Sequence, residues 1–298
     1  VTEQETNPLI ERVRELYPGL EIRKSSARSE GQSNDVIIVN DEWVLRFAKS
    51  EAAQRDLDTE AKLLSVVPHY VDLRVPESES PAPGVMRQHK LAGQTLDRIT
   101  LLRQPADVQE RLVEELAHFL FQLHRVPTDK LREVGVGHSH AGERAADAVL
   151  LFEDCKRELF PHLKGYAIDV IREHFRPVLE GELALDFDPV LIHADLNPSH
   201  ILWDPQRGKL MGVIDFGMAG LGDAAYDYAS ILLAYGETPL RRMHSHHPSI
   251  GAKVDRARFW AMAIELRLLL AGVRSGDPRW FCSNVGFARD VMPLGTSW

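Results

Sequence analysis

The chain has 298 residues, of which 44% are hydrophobic and 27% charged, so it can bury a core as one large domain or two lobes. Its net charge of −9 argues against a general nucleic-acid binder, which needs a basic surface, and suits a cationic small-molecule partner. Cys155 and Cys282 form no CxxC pair, no basic-then-apolar leader opens the chain, and no uncharged apolar run reaches the roughly 18 residues of a membrane span, so a cytoplasmic monomer with no membrane partner is expected.

Asn7-Pro8 before "LIERVRELY" signals a helix start, with apolar spacing at Leu9, Val13 and Leu16. Extended segments follow at Leu20 to Lys24, Val36 to Val39 and Trp43 to Phe47, the last two joined as a hairpin through Asn40-Asp41. Leu57, Ala61 and Leu64 mark a one-sided helix over Ala52 to Val67, and "VPESESPAPGVM" reads as a turn or edge connection. After Gly93 the pattern turns helical, with a long apolar face through Val108, Leu112, Leu116, Phe119 and Leu123. Two more helices are expected within 143–181, a short strand in "KLMGVIDFG" ending at Asp215, and helices over Ala224 to Tyr235, Lys253 to Val273 and Pro278 to Asp290. Strands first and helices later predict an α+β protein of two lobes, residues 1–90 and 94–298, joined near 86–93 with a nucleotide-sized cleft between them.

Two aspartates flank the second strand pair, Asp195 in "HADLNPSHIL" and Asp215 in "GVIDFG". The intervening "WDPQRGKL" has a Pro and a Gly placed to turn a hairpin, which folds the two carboxylates back toward one mouth of the cleft. Phosphoryl transfer needs such a pair, one carboxylate for the acceptor hydroxyl and one for a metal on the phosphates. The histidine tracts "HSHHPS" and "GHSHAG" lack cysteines or carboxylates at zinc spacing and read as solvated loops.

"HADLNPSHIL", "GVIDFG" and "GDAAYDYA" together resemble the aminoglycoside and macrolide phosphotransferases, antibiotic kinases with a protein-kinase-like fold. The resemblance is strong over residues 190–232 and moderate over 28–66, and Ala194 replaces a usual glycine, small for small. It implies that Asp195 is the catalytic base or hydroxyl-orienting residue and that Asp215, with His200, holds Mg²⁺. A histidine at 200 matches the aminoglycoside 2″-phosphotransferase and macrolide kinase branches. His193 would brace the loop, while Asp223 and Asp227 would be structural, one capping the next helix and one tying the catalytic loop.

The resemblance also assigns the nucleotide side. Ser29, Ser33 and Asn34 in "SEGQSND" lie over an ATP or GTP donor, and Arg46 in "EWVLRF" takes the place of the phosphate lysine with Glu60 as its helix partner. Lys49 is the alternative phosphate partner. Met86 lies near the back of the base pocket, and His89, Lys90 and Leu91 give backbone contacts. The acceptor, expected to be a cationic antibiotic with an aminoglycoside ahead of a macrolide, binds the helical lobe. Glu265, Glu153 and Asp154 are its candidate acids, and Trp260, Leu266, Leu269, Trp280 and Phe281 its candidate apolar lining, although helical spacing suits these as core. A metabolite kinase on the same fold and a non-catalytic nucleotide-binding regulator are the competing readings. Retention of both Asp195 and Asp215 argues against the regulator.

Overall fold

Strict alternation in "NDVIIV" and "WVLRFA" puts Ile37, Val39, Leu45 and Phe47 on one side of a sheet, and all four are fully buried in the computed structural model. The structure describes residues 8–28, 33–139, 145–276 and 294–296. Strands Ser25–Arg28 (β1), Asn34–Val39 (β2), Trp43–Ala48 (β3), Ser78–Ala82 (β4) and Val85–His89 (β5) form an antiparallel sheet in the order β1-β2-β3-β5-β4. Helix Pro8–Leu16 (α1) covers its outer face through Leu9 and Val13. There Arg87 lies 4.0 Å from the Trp43 ring centroid and 4.4 Å from that of Tyr17. Asn40 and Asp41 turn the β2–β3 hairpin with φ of 57° and 55°, the double positive φ of a type I′ turn, which Glu42 N closes by donating to Val39 O at 3.0 Å.

The expected strand at Leu20 to Lys24 is not formed, and strand pairing begins at Ser25. The Asn40 side chain takes that segment instead, accepting from Arg23 N (2.8 Å) and Lys24 N (3.2 Å) and donating to Glu21 O (2.7 Å). Helix Glu51–Leu64 (α2), capped by the Ser50 hydroxyl, packs beside the sheet and carries Glu60 among its buried residues. "SESPA" takes the edge as β4, where proline costs no ladder bond.

Beyond the linker come Gln94–Thr95 (β6), Arg98–Leu102 (α3), Ala106–Leu123 (α4), Thr128–Glu133 (α5), Ala145–Asp154 (α6), Gly165–Leu179 (α7), Val190–Ile192 (β7), Ile201–Asp204 (β8), Lys209–Val213 (β9), Gly220–Gly222 (β10), Ala224–Tyr235 (α8), Glu237–His246 (α9) and Val254–Ser275 (α10). β6-β8-β9 and β7-β10 form two small antiparallel sheets at the top of the helical lobe. The apolar face expected in α4 meets Ile231 and Leu232 of α8 and Phe259, Trp260 and Leu266 of α10 in one core, so Trp260 and Leu266 are packing residues. The two-lobed α+β architecture is the one the sequence implied.

Three local expectations change. The strand before Asp215 ends at Val213, because Asp215 itself turns the chain with φ of 65°. "HSHHPS" is not a solvated loop: α9 runs through His246, whose Nε2 meets Glu110 Oε1 at 2.8 Å, and the His247 ring stacks on Phe121 at 4.5 Å. "GHSHAG" begins with His138 bridged to Leu221 and a buried Ser139 donating to Met218 O at 2.7 Å. His140, Trp280, Phe281, Cys282 and the helix expected over Pro278 to Asp290 lie outside the described residues. Among those described, no helix is long and apolar enough to cross a membrane.

Candidate active site

The turn after β7 and the end of the β8–β9 hairpin bring Asp195, His200 and Asp215 together. His200 stands between the carboxylates, with Nδ1 3.4 Å from Asp195 Oδ2 and Nε2 3.5 Å from Asp215 Oδ2. His200 Nδ1 meets the Asp195 backbone carbonyl at 2.8 Å, which can only accept, and the Asn197 amide nitrogen at 3.1 Å, which can only donate; the shorter contact favours a proton on Nδ1 and a lone pair on Nε2. That lone pair and a carboxylate oxygen then face each other across 3.5 Å, which is favourable when a cation lies against both. The pair fits one edge of a Mg²⁺ shell. No group of three His, Cys, Asp or Glu side chains among the described residues could hold a metal alone, so a Mg²⁺ here would need phosphate oxygens and water for the rest of its shell.

Asn197, which the sequence reading passed over, holds the loop from inside. Its Nδ2 donates to Asp195 Oδ1 (3.0 Å), and its Oδ1 accepts from Ser199 N (3.0 Å) and the Ser199 hydroxyl. His193 is fully buried, with Nε2 donating to Ile214 O (3.1 Å) and Nδ1 accepting from Asp195 N (3.3 Å). Burial holds its pKa below the usual histidine value, so it is a neutral brace between the loop and the strand before Asp215.

Asp227 reaches the same loop from α8. Its fully buried carboxylate accepts from His193 N (3.0 Å) and Ala194 N (2.8 Å) and meets His124 Nε2 at 2.9 Å. Asp223 caps α8 at Ala225 N (3.0 Å), pairs with Arg256 at 2.8 and 3.0 Å, and accepts from Trp260 Nε1 at 3.2 Å. Nothing in the sequence points to His124, which closes α4 and meets Asp227 across 103 positions.

Ala194 is small for small in volume but not in backbone: its φ is 66°, in the left-handed region. That conformation costs a non-glycine residue about 1–2 kcal/mol, so Ala194→Gly is expected to stabilise the fold by about 0.5–1 kcal/mol after glycine's greater unfolded-state entropy is subtracted. Urea unfolding of the two proteins measures this, and a loss of stability would show the strain to be absent.

Across the cleft, strand register places Val36, Arg46 and Met86 in one row and Ile38, Val44 and Gln88 in the next, on the sheet face opposite α1. Arg46 Nη1 reaches both Glu60 oxygens, at 2.8 and 2.7 Å, and its Nη2 lies 3.8 Å from Asp215 Oδ1. Burial pushes the Glu60 carboxyl up to about 7 against the pull of Arg46. Lys49 instead meets Asp35 at 3.3 Å, so Arg46 is the cation placed beside Asp215. Asn34 is buried, with Oδ1 meeting no donor among the described residues, and Ser33 is exposed beside it, whereas Ser29 lies outside those residues. Of the linker residues, the His89 ring sits 3.7 Å from that of Trp43, and the Lys90 N–H is already given to Glu42 O at 2.8 Å. Leu91 packs its side chain against Gly212 of β9, with Cδ1 2.9 Å from where a Cβ there would sit. Gly93 takes φ of 135°, and a Cβ there would sit 3.0 Å from that of Leu202, so the linker presses against β8.

In the helical lobe, Glu153 pairs with Lys156 at 2.8 Å, and Asp154 with Arg157 and with Arg274 at 2.7 Å, which commits both acids to structure. Glu265 is different. It has no hydrogen bond or ion pair among the described residues, and burial pushes its carboxyl up to about 7.

Known proteins resemble this chain in sequence and fold. The model of the Phosphotransferase enzyme family matches residues 25–260. Viomycin phosphotransferase of Streptomyces vinaceus is 29% identical over 230 residues, covering 72% of this chain and 75% of that one. The GDP complex of wild-type aminoglycoside 2'-phosphotransferase-IIIa superposes with a TM-score of 0.83 at 26% identity, over 94% of this chain and 95% of that one. Macrolide 2'-phosphotransferase type I, at 19% identity and a TM-score of 0.73 over 97% of each chain, shares the fold.

Proposed function

This chain belongs to the Phosphotransferase enzyme family, and from that premise we propose that it moves the γ-phosphate of ATP or GTP to a hydroxyl of a cationic antibiotic, an aminoglycoside first. The observation that carries the reading is the convergence of Asp195 and Asp215 on His200, at 3.4 and 3.5 Å. Asp195 orients the acceptor hydroxyl and takes its proton, with its carboxylate held by the Asn197 amide. Asp215 and His200 Nε2 would hold a Mg²⁺, which would supply charge neutralisation on the phosphates. Arg46, kept in place by Glu60, adds its guanidinium to the same phosphate side.

The donor lies in the N-terminal lobe, proposed as residues 1–90, against Ser29, Ser33, Asn34 and Met86, with the linker over 86–93 reading the base through Leu91 and not through the committed Lys90 N–H. The acceptor lies on residues 94–298. There Glu265 offers a carboxylate with no described partner, and an ammonium group beside it would bring its pKa back down. The proposed setting is a cytoplasmic monomer.

A second acceptor, viomycin, is favoured by the 29% identity to viomycin phosphotransferase. A panel of kanamycin, gentamicin, viomycin, a macrolide and an amino alcohol, run with ATP and with GTP in the presence of Mg²⁺, tests both. Nucleoside diphosphate release with a phosphorylated aminoglycoside in the mass spectrum is the expected result. Turnover confined to the macrolide or amino alcohol would sink the acceptor assignment, and turnover of viomycin alone would select the second reading.

A further inference from the structure

"GHSHAG" has no part in the site described so far, yet one of its residues bonds the turn that follows Asp215. Asp215 stands in the left-handed region, with φ of 65°, so the peptides on both sides of it must be held if its carboxylate is to keep one direction. Upstream the hold comes from the loop of Asp195: Ile214 N donates to His200 O at 2.9 Å, and Ile214 O accepts from His193 Nε2 at 3.1 Å. Downstream the chain makes one turn, closed by Ala219 N on Phe216 O at 3.0 Å, and enters β10. Glu60 and Ser139 both reach that turn. Glu60 takes the Phe216 backbone N–H from the side of α2, and the Ser139 hydroxyl donates to Met218 O at 2.7 Å.

The segment around Ser139 is fitted to this place. One edge of β10 pairs with β7. The other edge is taken by residues 137–139: Leu221 N donates to Gly137 O at 2.9 Å, and Ser139 N donates to Leu221 O at 3.0 Å. A Cβ on Gly220 would sit 2.6 Å from Ser139 N and 2.8 Å from Ser139 Cα, so only glycine there lets the segment come this close. Ser139 is 6% exposed, whereas Met218 on the turn is 39% exposed and has little packing to hold it. The hydroxyl therefore fixes that end of the turn.

We propose that Ser139 is a positioning residue for phosphoryl transfer: by pinning the Met218 carbonyl it holds the turn after Asp215, and so aims the Asp215 carboxylate toward the place where it and His200 Nε2 would hold Mg²⁺. Ser139 touches neither substrate nor phosphate in this role. The consequence for Mg²⁺ rests on the phosphotransferase reading above, whereas the hold on the turn does not.

Ser139→Ala removes the hydroxyl and keeps the backbone pairing with Leu221, whereas Gly220→Ala keeps the hydroxyl and pushes the segment away from β10. Calorimetric titration with ADP and with GDP, each with and without Mg²⁺ and well below the unfolding temperature, reads the effect without any acceptor. In both variants the gain in affinity that Mg²⁺ brings is expected to shrink about tenfold, the low end for a group that orients a metal ligand through others, while affinity without Mg²⁺ stays as in the wild type. Independently of any nucleotide, amide hydrogen exchange at Ala219 should accelerate about tenfold in Ser139→Ala, while exchange in β8 and β9 is unchanged. Wild-type exchange at Ala219 in Ser139→Ala would overturn the proposal. So would a loss of nucleotide affinity that is equal with and without Mg²⁺, the mark of a merely structural role. If the unaltered protein binds neither nucleotide, the phosphotransferase reading has failed and the exchange measurement alone decides the role of Ser139.

Discussion

Replacing Asp195 by alanine is expected to lower phosphoryl transfer about 10²–10⁴-fold, the range for removing a positioned general base, while nucleotide affinity changes little. The structure makes this a clean deletion. The Asp195 side chain is 42% exposed and accepts a hydrogen bond from Asn197, so its loss leaves no buried charge behind. His200 is anchored by the Asp195 backbone carbonyl at 2.8 Å, which alanine retains, so the imidazole keeps its place beside Asp215. Steady-state rates and calorimetric titration with nucleotide and Mg²⁺ separate the two effects. Comparable losses in transfer and in binding would contradict the assigned role.

Asp227→Ala should instead act first on stability, costing about 3–5 kcal/mol, the scale for removing one partner from a buried charged cluster. Three donors lose their acceptor together: the His193 and Ala194 amides and His124 Nε2, all in contact with a carboxylate of zero exposure. Each buried N–H left unpaired costs about 1–3 kcal/mol, so the sum is large even if water enters. Urea unfolding followed by circular dichroism measures it. A loss below about 1 kcal/mol would mean that the loop finds other acceptors and that the clamp is dispensable. Transfer should fall as well, because the turn that aims Asp195 is the one released.

These two carboxylates differ by environment. Asp195 is 42% exposed and held by one side-chain hydrogen bond, which suits the proton exchange proposed for it. Asp227 is sealed in the core and saturated with donors, which suits a part that must not move. Asp215 lies between these extremes, with a 43% exposed side chain, a left-handed φ of 65° and Arg46 at 3.8 Å.

Much of the fold was legible because it rests on local periodicity. The alternation in "VIIV" and "WVLRF" marked β2 and β3, the apolar stripe marked α4, and Ala224 to Tyr235 matches α8 at both ends. Asp195 and Asp215 were legible as a pair because one short hairpin joins them, and a hairpin's turn residues are a local signal. Leu20 to Lys24 misled because its apolar alternation competes with the Asn40 side chain, whose three bonds to that segment appear only once the β2–β3 turn has formed.

The choice of Arg46 over Lys49 needed the third dimension. Both lie in one stretch of chain, and only the sheet register, which turns Arg46 into the cleft and leaves Lys49 beside Asp35, separates them. The same holds for the "HSHHPS" histidines, which α9 delivers onto the acids and aromatic ring of α4. The sequence by itself marked the elements, their two-lobed α+β order and the pairing of Asp195 with Asp215, because these depend on residue type and short-range spacing. Tertiary structure alone decided which groups hold that loop in place. His124 and Asp227 meet because α4 and α8 pack in one core, and no spacing along the chain encodes a contact made by burial.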